Sequence, residues 1–237
     1  MNRKRDRLAG PDLLDIYRRL FSHFGPLHWW PGETPFEVMV GAILTQNTAW
    51  TNVEKAIAGL KAAGLLEPQA ILAADPDRVR ELIRPSGYYN QKTERLRLFV
   101  KWMLAEPFRG SIKAMRRADP AEMRDRLLSL KGIGPETADS IMLYALDQPV
   151  FVIDAYTRRI FSRLGLTDPD ATYDELQEYF TTRLPADPGL YNEYHAQIVY
   201  LGKDFCRKTP RCHGCPVADV CFGTGDIQHR GTEEKRN

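Results

Sequence analysis

The chain has 237 residues, 43% of them hydrophobic, enough for one large domain or two small ones with a real core. Its 33 Lys and Arg against 31 Asp and Glu leave a net charge of only +2, so any basic surface for a polyanion has to be local. No apolar run reaches membrane-spanning length and MNRKRDRLAG lacks the apolar core of a signal peptide, so a cytoplasmic protein with no membrane partner is expected, its cysteines reduced or bound to metal.

Residues 1–10 are polar and basic and are expected to fray. From Asp12 on, Leu13, Leu14, Ile16, Tyr17, Leu20, Phe21 and Phe24 predict a helix that Gly25-Pro26 ends. Trp29 and Trp30 then precede Pro31-Gly32 in a loop, an unusual place for two large aromatics. Such a pair is either core filler or the wall of a pocket. Pro35 starts an apolar helix through Leu44, and the polar stretch TQNTAW (45–50) interrupts it before the next helix. Residues 71–106 predict a further pair of helices, joined by the polar turn RPSGYYNQK with Tyr88 and Tyr89 adjacent in it. Phe108-Arg109-Gly110 reads as another connection.

Residues 121–130, AEMRDRLLSL, have helical apolar spacing at Met123, Leu127, Leu128 and Leu130. KGIGPE then breaks the pattern, and ETADSIMLYAL resumes it, which predicts a helix, a hairpin and a second helix. Gly132 and Gly134 let the backbone turn where a side chain would clash and leave amides bare. Pro135 suits the first position of the next helix. Bare amides at a helix N-terminus form an anion site, and a DNA phosphate, gripped without reading sequence, is its natural occupant. An ordinary helical hairpin with a glycine turn would carry the same residues. The apolar run 149–153 follows, and then Asp154 opens AYTRRIFSRLG, where Asp is a favoured N-cap. TYDELQEYFTTRL (172–184) and LYNEYHAQIVYLGKDFC (190–206) read as two more helices. With no convincing strand, repeat or low-complexity run, the fold class is all-α, with about ten helices.

All four cysteines fall in one window, Cys206-x5-Cys212-x2-Cys215-x5-Cys221. Four thiolates so close in sequence read as a metal site, and tetrahedral thiolate ligation suits zinc or a [4Fe–4S] cluster; spacing does not choose. Lys203, Arg207, Lys208 and Arg211 surround the window and would present positive charge to a DNA backbone.

Hairpin, apolar run and Asp154 together resemble the helix-hairpin-helix superfamily of DNA glycosylases, with endonuclease III as its best-known branch; the resemblance spans about Trp29 to Cys221. It implies a two-lobed helical fold: a central domain over 30–135 ending in the hairpin, a second domain from 1–29 plus 136–222 with a C-terminal [4Fe–4S] loop, and a flexible tail over 223–237. It also implies that Asp154 is the catalytic carboxylate and that the cofactor is a [4Fe–4S] cluster held by the four cysteines. The family's usual first cysteine gap is six residues, against five here. The bound partner would be double-stranded DNA containing a damaged base, met by a monomer at the nucleoid.

Bifunctional members carry a lysine in the second hairpin helix that attacks the sugar; the matching position here is Glu136, which cannot form an imine. The chain is therefore expected to be a monofunctional glycosylase with water as nucleophile. LTQNT (44–48), RPSGYYNQK (84–92), KGIGPETADSIMLYA (131–145) and the tryptophan pair closely resemble the 3-methyladenine DNA glycosylase III branch, whose known members lack the cluster cysteines. That resemblance places Trp29 and Trp50 on either side of the extruded base, with Trp30, Glu136 and Lys203 in the same pocket. It gives Gln46 and Tyr88 the role of wedges in the duplex, and Lys131, Gly132 and Gly134 that of the backbone grip. An electron-poor alkylated purine suits indole faces by stacking and cation–π attraction. Two other readings stand beside it: a bifunctional lyase on oxidised pyrimidines using Lys131 or Lys203, and a non-catalytic damage-binding protein.

Overall fold

The computed structural model describes residues 12–30 and 32–223; the basic N-terminal stretch, Pro31 and the tail from 224 on lie outside the described residues. In chain order the helices are α1 (Leu13–Phe24), α2 (Pro35–Leu44), α3 (Trp50–Ala62), α4 (Pro68–Ala73), α5 (Pro76–Leu82) and α6 (Tyr89–Leu104). There follow α7 (Ile112–Arg117), α8 (Pro120–Leu128), α9 (Pro135–Ser140), α10 (Ala155–Arg163), α11 (Tyr173–Thr181) and α12 (Pro188–Asp204). Among the described residues there is no strand, and the run 149–153 is extended but unpaired as a sheet. The fold is all-α.

Proline sets the punctuation. Six helices begin with it, at Pro35, Pro68, Pro76, Pro120, Pro135 and Pro188, where the missing N–H would have had no partner. Side-chain caps support the same ends: Thr34, Asp75, Asp119 and Asp187 each accept from a first-turn amide, and Thr172 forms a full capping box with Glu175. This punctuation corrects two expectations. The first member of the helix pair expected over 71–106 is divided, because Asp75-Pro76 starts α5 immediately after α4 and a 3₁₀ turn, Arg84–Ser86, precedes α6. The connection after Phe108 is brief, since Ser111 caps a short α7.

The described residues divide into two compact units, one drawn from those before and including Trp29 together with those from Phe151 on, the other from Trp30 to Val150. In the 30–150 unit α2 is buried along its whole length from Phe36 to Leu44, packed against α3, α6 and α9. After Ser140 the second hairpin helix continues as one π turn, Ile141–Ala145, buried and laid against α2. Residues 136–150 therefore belong with 30–135 in this unit, where the sequence suggested a division at 135. The two hairpin helices, α8 and α9, are joined through Arg124, whose guanidinium donates to the fully buried Asp139 carboxylate at 2.8 and 3.3 Å.

In the other unit α12 packs on α1 and α10. Phe151 stacks on Phe180 with centroids 4.2 Å apart, and Tyr191 and Tyr194 meet it edge-on. The Tyr194 hydroxyl donates to Leu13 O at 2.8 Å, tying α12 to the start of α1. Gly202 lets α10 approach α12: a Cβ there would lie 2.2 Å from the Tyr156 ring.

Candidate active site and nucleic-acid interface

The residues singled out by sequence fall into two sets, one in each unit. In the 30–150 unit the hairpin Lys131-Gly132-Ile133-Gly134 is exposed except for Ile133, which anchors it in the core. Gly132 has φ +88, and a Cβ on it would stand 2.3 Å from the Arg95 side chain, so both torsion and space demand glycine. Gly134 is the N-cap of α9, with exposed backbone, and Glu136 follows in the exposed first turn.

Gln46 belongs to this hairpin. Its amide nitrogen donates to Gly132 O and to Thr137 Oγ1, both at 2.9 Å, and its oxygen accepts from Arg95 at 2.5 Å. Tyr88 caps α6 in the left-handed region, φ +46, with 65% of its surface exposed. A bulky non-glycine residue in that conformation is strained, and such strain concentrates at functional positions. Trp50 is the first residue of α3; its ring meets Trp30 edge-on at 5.0 Å and its indole N–H donates to Glu54 at 2.9 Å. Trp30 also lies 4.9 Å from the Tyr144 ring, which the π turn presents, and both tryptophans close over Gly41, where a Cβ would touch them at 3.4–3.5 Å.

In the other unit Asp154 is the N-cap of α10. Its Oδ1 accepts from Thr157 N at 2.7 Å and Thr157 Oγ1 at 2.9 Å, leaving Oδ2 directed toward His195 Nε2 at 3.6 Å. The carboxylate is 12% exposed: reachable, yet fixed by its cap. His195, on α12, is buried, and burial pushes its pKa down against the opposing pull of Asp154, so it is neutral near pH 7. Trp29 lies in the loop after α1 with the Lys203 ammonium 5.7 Å from its ring centre and Tyr200 edge-on at 6.4 Å. The structure thus brings together Gln46 with Gly132, Trp30 with Trp50, and Trp29 with Lys203.

Sequence reasoning missed Arg95, Lys92, Thr137 and His195. His195 was findable: it follows Tyr191 and Tyr194 on the buried stripe of α12 that continues through Ile198.

The four cysteines line one cavity of about 200 Å³, with Ile160, Leu164, Phe205 and Val217 among its apolar walls. Arg163 donates to Cys206 Sγ at 3.3 Å and to the carbonyls of Arg207 and Lys208, while Arg159 holds Cys206 O at 2.8 Å. Among the described residues no three His, Cys, Asp or Glu side chains converge closely enough for a single metal ion. Four thiols lining one partly open cavity are a donor set of the kind that holds a [4Fe–4S] cluster.

The glycine-turned hairpin and the capped, accessible Asp154 carboxylate thus stand one in each unit of an all-α fold. The chain belongs to the HhH-GPD superfamily of base excision DNA repair proteins, whose family model matches residues 40–186. It is 50% identical over 207 residues to a protein of Methanocaldococcus jannaschii assigned as a DNA repair glycosylase, covering 87% of this chain and 94% of that one. The crystal structure of the H. pylori 3-methyladenine DNA glycosylase MagIII bound to 1,N6-ethenoadenine is similar at a TM-score of 0.72 and 32% identity, covering 81% of this chain and 98% of that one. A non-covalent endonuclease III–DNA complex shares the fold at a TM-score of 0.75 and 20% identity, over 97% and 99% of the two chains. Within the described residues no helix is long and apolar enough to cross a membrane.

Proposed function

We propose that this DNA glycosylase is monofunctional and removes alkylated purines such as 3-methyladenine from double-stranded DNA, with Asp154 as the catalytic carboxylate. One observation carries the reading: at 32% identity the chain is similar to a 3-methyladenine glycosylase; Glu136 in the hairpin helix, where the resemblance implies a lysine in lyases, agrees with it.

The proposed chemistry follows from charge. Alkylation makes the purine cationic, so when the N9–C1′ bond breaks the base leaves neutral with the electron pair. Positive charge passes to the sugar. Asp154 stabilises that charge, and water adds to C1′ and gives up a proton. The cap from Thr157 keeps Oδ1 engaged, so Oδ2 is the oxygen that acts. Trp50 offers an indole face to the extruded, electron-poor base. The hairpin amides of Gly132 and Gly134 grip a phosphate beside the lesion, Ile133 N being already bonded to Leu130 O, while Gln46 and Tyr88 enter the duplex. For Gln46 this entry requires release of its bonds to Gly132 and Thr137. Cys206, Cys212, Cys215 and Cys221 would hold a [4Fe–4S] cluster that fixes the C-terminal loop and its basic residues; when bound it supplies structure.

Base release from duplexes carrying single alkylated, oxidised or deaminated bases tests this reading. Release confined to alkylated purines supports it, and preference for oxidised pyrimidines overturns it.

A further inference from the structure

We propose that Lys92 is a positioning residue for DNA entry: its ammonium ties together the two loops that carry Gln46 and Tyr88, and so sets how those side chains meet the duplex. The proposal rests on the reading above that Gln46 and Tyr88 enter DNA. Lys92, in the first turns of α6, is 1% exposed, and its Nζ donates to Leu44 O at 2.8 Å and to Ser86 O at 2.7 Å. Leu44 is the last residue of α2, two positions before Gln46. Ser86 ends the 3₁₀ turn, two positions before Tyr88. One buried cation thus holds the root of each loop.

Both loops carry a non-glycine residue in the left-handed region, Asn47 at φ +55 and Tyr88 at φ +46, a conformation that persists only where the surroundings impose it. Filling the core does not explain the choice of side chain. Lys92 shares a stripe with Leu96, Phe99, Val100 and Met103, where a methionine would fill the space without bringing a charge out of water. What a methionine could not do is bind two carbonyls at once.

The lysine also carries a signature that separates positioning from packing. Burial, with the Arg95 charge on the same helix second, pushes its pKa down from 10.5 to about 8. From α2 and the 3₁₀ turn it is the carbonyls of Leu44 and Ser86 that receive it, and Arg84 of that turn lies over the Tyr89 ring instead. Between pH 8 and 10.5 the folded state holds Lys92 neutral while the unfolded chain keeps it charged. The share of stability that depends on Lys92 therefore rises with pH over that window. The tie to the two carbonyls weakens as the charge is lost. Stability and DNA entry should move in opposite directions.

The test is single-turnover excision efficiency from an alkylated duplex between pH 6.5 and 9.5, with thermal melting at each pH, for the wild type, Lys92→Met, Gln46→Ala and Tyr88→Ala. The proposal expects Lys92→Met to lose roughly ten-fold or more at pH 7, and wild-type efficiency to fall through pH 8 in a step absent from Lys92→Met. Adding Lys92→Met to a Gln46→Ala, Tyr88→Ala background should cost less than about two-fold more. Efficiency in folded Lys92→Met equal to wild type, or the same pH step in both proteins, overturns it. If Lys92→Met does not fold, the wild type decides. A lysine Cε resonance titrating near 8 in step with lost efficiency supports the proposal, and efficiency flat through that midpoint refutes it. Gln46→Ala and Tyr88→Ala both without effect would refute the underlying reading, and Lys92's role with it. Losses in those two alongside an unaffected Lys92→Met would refute only the role of Lys92.

Discussion

Asp154 has two separable jobs, and substitution can divide them. As N-cap of α10 it accepts from Thr157 N and Oγ1 through Oδ1. Asn caps a helix about as well as Asp, so Asp154→Asn should keep the cap and lose only the charge. Ala loses both, at about 0.5–2 kcal/mol for the cap, which lowers Tm by a few degrees in a chain of this size. The catalytic loss should instead be common to both. Removing a charge aimed at a developing cation costs on the order of 10²–10³ in rate, by analogy with the loss of one oxyanion-hole donor. Single-turnover base release beside thermal melting reads the two effects separately. The expected pattern is Asn with wild-type Tm and almost no excision, and Ala with lowered Tm and equally little excision. Normal excision by Asp154→Asn would leave the residue as a cap alone and refute the catalytic assignment.

Three further outcomes are expected. Asp139→Ala should destabilise by about 2–4 kcal/mol by denaturant titration, since it removes the buried carboxylate that ties Arg124 of α8 to α9; Asp139→Leu with Arg124→Met should recover much of that, because an apolar pair takes the place of the charged one. Trp50→Ala should cut alkylpurine excision roughly ten-fold with little change in melting, because the ring is half-buried and its loss removes a stacking face worth about 1–3 kcal/mol. Purified protein should be brown and contain iron and sulfide, whereas a colourless folded protein with one zinc would overturn the cluster assignment.

The hairpin was legible as a turn between helices because two glycines interrupt a helical pattern and a proline restarts it, while its part in DNA binding came only through resemblance. Asp154 was legible as a cap from its place before AYTRRIFSR, and as a candidate acid only through resemblance. The short helix α7 escaped, and α4 and α5 were read as a single helix, because six or seven residues hardly express a period. The π turn escaped because IMLYA is apolar on every face, so an extra residue in the turn leaves no trace in the pattern. Lys92 escaped for a different reason. Within NQKTER it reads as a solvated helix face, and only its register with Leu96, Phe99 and Met103 shows that it points inward.

The most direct test of the central claim is to incubate the wild-type protein with a 3-methyladenine duplex under borohydride and to follow free base and trapped protein together. A monofunctional enzyme gives stoichiometric release of 3-methyladenine, an intact strand carrying an abasic site, and no covalent protein–DNA adduct. Release accompanied by a trapped adduct would contradict the claim, because an imine requires a lysine nucleophile in place of water.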